Sequence, residues 1–172
     1  SEVDFSKISI ASANVAYAVG DDGLIAKSTS PGTWELVSYG STDFKDVHAF
    51  DEQNVLVCGS DGLMVKTTDG GATWSEVMVG TIDSLRRMHF ISKTAGWVVG
   101  SEGIIFKTID GGKTWQSLDS GVDIRLYGVF FIDDNNGFVV GNDDHVLKTT
   151  DGGETWETTV LTTGEDFRGV GF

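Results

Sequence analysis

The stretch Thr67-Thr68-Asp69-Gly70-Gly71-Ala72-Thr73-Trp74 decides the fold, because the chain repeats it. It returns as Thr108-Ile109-Asp110-Gly111-Gly112-Lys113-Thr114-Trp115 and as Thr149-Thr150-Asp151-Gly152-Gly153-Glu154-Thr155-Trp156. A worn form, Ser28-Thr29-Ser30-Pro31-Gly32-Thr33-Trp34, precedes them. The four tryptophans stand 40, 41 and 41 residues apart. A fixed period of this size marks stacked copies of one supersecondary unit. An Asp before two glycines can accept backbone N–H bonds and fix a turn. Asp69, Asp110 and Asp151 are therefore read as turn formers, with calcium coordination as the alternative, and Thr and Trp are expected to lock each turn in place.

Working outward from each box, every copy holds four short apolar runs separated by polar or glycine-bearing turns. In the second copy these are 44–50, 54–59, 63–68 and 74–78, with Ser60-Asp61-Gly62 as a hairpin turn. The other copies map the same way, so the repeats run about 5–38, 44–78, 85–118 and 126–160. No stretch keeps a helical period of 3.6 for any useful length. Four antiparallel strands in about 41 residues describe a propeller blade. The predicted fold is all-β: a β-propeller of four 4-stranded blades in a single domain over 1–172. Residues 167–172 align with the first strand of the fourth copy and predict one extra inner strand. That surplus leaves three arrangements open. The chain is a truncated longer propeller, a four-bladed ring with a spare strand, or half of a larger ring completed by a second copy as a homodimer.

Composition narrows the partners. The net charge of −14 argues against nucleic acid and anionic membrane surfaces. No apolar run approaches the roughly 18 residues of a membrane span, so membrane insertion is not expected. The opening residues carry no signal-peptide pattern, which leaves the compartment undecided. The single Cys58 excludes an internal disulfide. It shares a repeat column with Val19, Val99 and Val140 and reads as a small buried hydrophobe. His48 and His89 share another column, His145 stands apart, and none has metal-ligand spacing, so no metal and no cofactor are expected. Lys27, Lys66, Lys107 and Lys148 recur beside every box and read as structural.

The arginines are the functional lead. There are four, Arg86, Arg87, Arg125 and Arg168, all at or just before the start of a predicted inner strand. One column reads Ser6, Lys45, Arg86, Tyr127, Arg168. Equivalent positions on successive blades lie around one rim of a propeller channel. Lys45, Arg86, Arg87, Arg125 and Arg168 are thus predicted to form a basic arc that binds a protein or peptide partner. Guanidinium groups suit carboxylate recognition. The plain alternative is strand-end salt bridges to neighbouring Asp and Glu.

The pattern of Gly96-Trp97-Val98-Val99-Gly100-Ser101 followed by Gly103-Ile104-Ile105 and the Asp box resembles the photosystem II assembly and stability factor family (Ycf48-like), within the wider group of Asp-box, or BNR-repeat, propellers. The resemblance spans Phe5 to Phe172. It implies a non-catalytic assembly module, an arginine-rich partner-binding patch at the positions above, and an extracytoplasmic site in periplasm or thylakoid lumen. Members of that family usually form larger rings than four blades. In the shared box, Asp69, Gly70, Gly71 and Trp74 match, as do Asp110, Gly111, Gly112 and Trp115, and Asp151, Gly152, Gly153 and Trp156.

Two other function classes stand beside the binding module. Asp boxes also occur in sialidases and glucan hydrolases, and a carbohydrate-binding propeller is a related reading. A sialidase needs an arginine triad, a Tyr nucleophile and an acid/base carboxylate. Here the arginines recur by column, and Tyr17, Tyr39 and Tyr127 suggest no such site, so no catalytic residue is assigned. The third class is a partial propeller without autonomous function.

Overall fold

The computed structural model describes residues 4–30, 32–164 and 166–171. Sixteen strands form four antiparallel four-stranded sheets, each from consecutive strands in simple up-and-down order. The first sheet holds β1 (Phe5–Ile10), β2 (Ala16–Gly20), β3 (Leu24–Ser30) and β4 (Thr33–Ser38). The second holds β5 (Phe44–Ala49), β6 (Val55–Gly59), β7 (Met64–Thr67) and β8 (Ser75–Glu76). The third holds β9 (Leu85–Phe90), β10 (Gly96–Gly100), β11 (Ile105–Thr108) and β12 (Gln116–Leu118). The fourth holds β13 (Leu126–Phe131), β14 (Gly137–Gly141), β15 (His145–Thr149) and β16 (Glu157–Val160). Among the described residues the helical content is one short 3-10 turn, Ser60–Gly62. The chain divides into two compact units, Ser1–Ile82 and Asp83–Phe172, each with two sheets.

Side chains alternate across each strand, so each sheet has two faces. Register assigns them. On what we call the front face, Ile8, Ala18, Ala26 and Leu36 stand opposite one another across the first sheet. Val47, Val57 and Val65 hold the same places in the second sheet, and Val129, Val139 and Leu147 in the fourth. The back face carries Tyr17, Val19 and Ile25 in the first sheet and Trp97, Val99 and Ile105 in the third. In each unit the back of the first sheet packs on the front of the second. Tyr17, Val19 and Ile25 meet Val47, Val57 and Val65 in one unit. Trp97, Val99 and Ile105 meet Val129, Val139 and Leu147 in the other. Burying these rows removes apolar surface from water, at about 25 cal/mol per Å².

The Asp boxes close the turns between third and fourth strands. Asp69 Oδ1 accepts the Thr67 hydroxyl at 2.7 Å and the Thr73 amide at 2.9 Å, while Oδ2 accepts the Thr73 hydroxyl at 2.6 Å. The Gly71 amide donates to Thr67 Oγ1 at 2.9 Å. Asp110 and Asp151 repeat the pattern with Thr108 and Thr114, and with Thr149 and Thr155. Both glycines of each box sit at positive φ, 73° and 91° for Gly70 and Gly71, which favours a residue without a Cβ. The worn first copy lacks this device, and there β3 and β4 run on further, to a Ser30–Thr33 pair across the turn. In the second copy the outermost strand is shorter than the sequence reading of 74–78. Trp74 belongs to the box turn, and an edge strand has one neighbour to pair with.

The expected inner strand over 167–172 does not form a ladder. Phe167 donates its amide to the Gly141 carbonyl at 3.3 Å, and the segment passes Gly128, but residues 166–171 hold no strand conformation. A strand needs a neighbour bonded along its length, and among the described residues none pairs with it. Phe172 lies outside the described residues.

Candidate functional site

The turn into an inner strand positions each predicted cation. In the second unit Arg86 is the second residue of β9, Arg125 immediately precedes β13, Tyr127 is the second residue of β13, and Arg168 lies in the segment that follows β16. The structure brings Arg86 and Arg168 together at Tyr127 and sets Arg125 close enough to act on Arg86. The Arg86 guanidinium lies 5.4 Å from the Tyr127 ring centroid, and that of Arg168 lies 5.9 Å from it. Such contacts are worth about 0.5–1 kcal/mol where solvent reaches them. Burial, and then repulsion from Arg125, holds the Arg86 guanidinium below its ordinary pKa, with Tyr127 acting in the opposite sense. Arg86 Nε also donates to Ser101 Oγ at 3.4 Å. Among the described residues no carboxylate lies within ion-pair distance of Arg86, Arg125 or Arg168. Two guanidiniums thus share one phenol ring, with a third cation near one of them, in a protein of net charge −14. The repulsion of Arg86 by Arg125 is the opposite of what a strand-end salt bridge would produce.

Arg87 follows Arg86 on β9 and so points to the opposite face of the sheet; it pairs in register with Val99. Lys45 belongs to the first unit. It is tied to Asp43 at 3.2 Å and Asp21 at 3.8 Å, both carboxylates from neighbouring turns. Hydrogen bonds from the Asp22 amide and from Lys45 lower the Asp43 pKa. Tyr127 was not among the candidate binders, although its column, between Arg86 and Arg168, was the signal that placed it there.

The box carboxylates are occupied by their own turns. Hydrogen bonds from the Thr73 hydroxyl and amide and the Thr67 hydroxyl hold Asp69 down at about 2. The Thr155 hydroxyl and amide and the Thr149 hydroxyl do the same for Asp151. At Asp110 burial pushes upward, but bonds from Thr114, Thr108 and Lys113 outweigh it and the value again falls to about 2. Among the described residues no group of three or more His, Cys, Asp or Glu could hold a metal ion. His145 Nδ1 is engaged by the Asn142 and Asp143 carbonyls and His89 Nε2 by the Phe131 carbonyl, while Cys58 is a buried free thiol. Among the described residues no helix is long and apolar enough to cross a membrane.

Four-stranded sheets, one per 40–41-residue repeat and closed by Asp boxes, define an Asp-box β-propeller protein. The family model described as photosynthesis system II assembly factor YCF48 matches residues 26–120 and 115–170. The chain belongs to that family. A solved structure described as YCF48 bound to D1 peptide superposes with a TM-score of 0.77 at 21% identity, covering 98% of this chain and 57% of that one. YCF48 from Cyanidioschyzon merolae superposes at 0.75, also at 21% identity, covering 99% of this chain and 60% of that one. An ancestral GH74 enzyme matches at 0.72 and 20% identity, covering 88% of this chain and 23% of that one. Identities at this level show the common fold. The chain spans about three-fifths of the length of the YCF48 structures it matches. No curated protein matches the sequence.

Proposed function

We propose that this chain is a non-catalytic binding module of photosystem II assembly that holds a carboxylate-bearing protein or peptide partner. The observation that carries this reading is the meeting of the Arg86 and Arg168 guanidiniums at the Tyr127 ring, with Arg125 near enough to repel Arg86 and no carboxylate among the described residues paired with them. A partner carboxylate placed between the guanidiniums relieves their repulsion and gains charge-assisted, bidentate hydrogen bonds. Tyr127 holds Arg86 and Arg168 in place before the partner arrives, which lowers the ordering cost of binding. Arg87, on the opposite face of β9, and Lys45, in the first unit and held by Asp43 and Asp21, stand outside this cluster, so the proposed site is Arg86, Arg125 and Arg168. Family membership, and a similar protein described as bound to a D1 peptide, support the partner class. In this reading residues 1–172 act as one propeller domain.

Titration of a labelled D1 peptide by fluorescence anisotropy tests the proposal. Charge reversal in R86E/R168E weakens binding by about a hundredfold, since each close charge pair at an interface carries roughly 1.5 kcal/mol or more. Both side chains reach solvent, so the β-sheet circular dichroism stays unchanged. Retained affinity in the double variant removes the arc from the site. The GH74 likeness motivates one parallel measurement. No turnover of a fluorogenic glucan or sialoside is expected, and measurable turnover would replace the binding reading with a glycan-processing one.

A further inference from the structure

The turn between the second and third strands has one form in the first three sheets. It reads Gly20-Asp21-Asp22-Gly23, Gly59-Ser60-Asp61-Gly62 and Gly100-Ser101-Glu102-Gly103. In the fourth it reads Gly141-Asn142-Asp143-Asp144, so an aspartate stands in a column of glycines. The column keeps a left-handed backbone throughout, with φ of 70° at Gly23, 67° at Gly62, 68° at Gly103 and 61° at Asp144. Glycine adopts that conformation freely, whereas a residue with a Cβ is strained in it. In the first three copies a Cβ is also barred by contact. Built on Gly23, Gly62 or Gly103, it would stand 2.3, 2.1 or 1.9 Å from the carbonyl oxygen of Tyr39, Thr81 or Val122. Those carbonyls belong to the connection that leaves each outer strand for the next inner strand.

The fourth connection makes room for the Asp144 side chain and bonds to it. Asp144 is 6% exposed. Its Oδ1 accepts the Thr163 hydroxyl, and its Oδ2 accepts the Gly164 amide at 2.7 Å. A buried carboxylate needs such donors, and here the connection supplies them. Main-chain bonds continue the attachment. The Leu161 amide donates to the Asp144 carbonyl at 2.9 Å, and the Phe167 amide donates to the Gly141 carbonyl at 3.3 Å. The Asp143 amide donates to Asp166 Oδ1 at 3.3 Å. Gly141 in turn stands opposite Leu126 on β13, the neighbour of Tyr127. The next residue after Phe167 is Arg168, whose guanidinium lies 5.9 Å from the Tyr127 ring centroid. One turn thus joins the strand that carries the ring to the connection that carries the cation. All of these contacts lie within the second unit.

From this we infer that Asp144 is a positioning residue for partner binding. It anchors the connection after β16 and so sets the root of Arg168 beside Tyr127. A long side chain whose root is already fixed loses less freedom when a partner carboxylate arrives. The inference rests on the arginine site proposed above and adds to it a buried residue outside the guanidinium cluster.

Amide exchange followed by nuclear magnetic resonance reads the anchor, and anisotropy of the labelled D1 peptide reads its consequence. D144G restores the glycine of the column and removes the carboxylate. Its unfolding midpoint is expected within a few degrees of the unmodified chain's, because relief of the left-handed strain offsets the lost bonds. Exchange at the Gly164 and Phe167 amides is expected to rise about tenfold or more, while Val139 and Leu147 on the neighbouring strands keep their rates. R168A is expected to weaken peptide binding about tenfold, as loss of one close charge pair does. D144G is expected to weaken it about three- to tenfold, and D144G/R168A no further than R168A alone, because the anchor acts through that arginine. D144N keeps one acceptor and is expected to fall between D144G and the unmodified chain. T163V, at an exposed position, removes one donor without touching the sheet and is expected to act in the same direction as D144G. A peptide affinity indifferent to D144G overturns the inference, as does an additive loss in D144G/R168A or an unchanged Phe167 exchange rate. Should D144G lose more than about ten degrees of midpoint, T163V decides, and unchanged exchange and affinity there overturn the inference. A chain that does not bind the peptide at all removes the arginine site and this role with it, whereas a chain that binds but ignores D144G removes this role alone.

Discussion

Trp97 and Lys107 share one acceptor, and that arrangement supports a quantitative test. Trp97 is fully buried on β10, stacks on Phe131 at 3.5 Å with the rings 5° from parallel, and donates Nε1–H to the Gly152 carbonyl at 3.1 Å. Lys107 Nζ reaches the same oxygen at 3.2 Å and lies 5.3 Å from the Trp97 ring centroid. In W97F the stack survives. The lost hydrogen bond costs about 1 kcal/mol, and the space left by the smaller ring costs about 1–2 kcal/mol more. Gly152 keeps Lys107, so its carbonyl is not orphaned, and the total is about 2–3 kcal/mol. K107M keeps most of the apolar stem and leaves Trp97 bonded to the carbonyl. Lys107 is partly solvated, so its charge contributes little, and the expected loss is about 1 kcal/mol. In the double variant the buried carbonyl has no donor, and an unsatisfied buried acceptor adds about 1–3 kcal/mol. The double variant therefore exceeds the sum of the singles by about 1 kcal/mol or more. Urea unfolding followed by far-ultraviolet circular dichroism reads this as a shift in midpoint at constant slope. W97F should also lower Tm by about 5–10 °C. Additive singles, or a W97F cost below about 0.5 kcal/mol, would refute the shared-acceptor account.

The remaining predictions concern acid and close approach. Asp69, Asp110 and Asp151 sit at about 2 in the folded protein, below the ordinary carboxylate value of about 3.9. Their contribution is present above about pH 4 and is lost as the pH falls toward 2, because the unfolded state then binds more protons. Acid titration of D151N should show a shallower loss of stability across that window than the unmodified chain, and parallel curves would rule the carboxylate out. G59A is expected to cost about 3 kcal/mol or more in a thermal melt. A Cβ built on Gly59 would stand 2.2 Å from the Asp43 carbonyl oxygen, which is backbone and cannot step aside. A change in Tm below a few degrees would show that the two strands part easily there.

Much of the fold was legible because its causes are local. The 40–41-residue period, the alternation within each run and the Asp-Gly-Gly turns depend on residues close in sequence, and the strands fall within a residue or two of their expected places. The misses have local physical reasons as well. An edge strand such as β8 has one neighbour to hold it, and among the described residues the segment 166–171 pairs with no strand. Of the candidate site, the repeat column placed Arg86, Tyr127 and Arg168 as equivalents. It did not reveal that two guanidiniums share one ring, nor that Arg125 presses on Arg86. Lys45 stood in the same column, yet Asp21, from a different hairpin, and Asp43 compensate its charge.

By itself the sequence determined the architecture of each blade, since a turn that needs two positive-φ glycines and a carboxylate acceptor is written in eight consecutive residues. Tertiary structure alone decided which carbonyl Lys27 and Lys107 would reach and which arginines would meet. Those outcomes depend on side chains about forty residues apart being packed against one another, and such distances are set when one sheet is laid on the next.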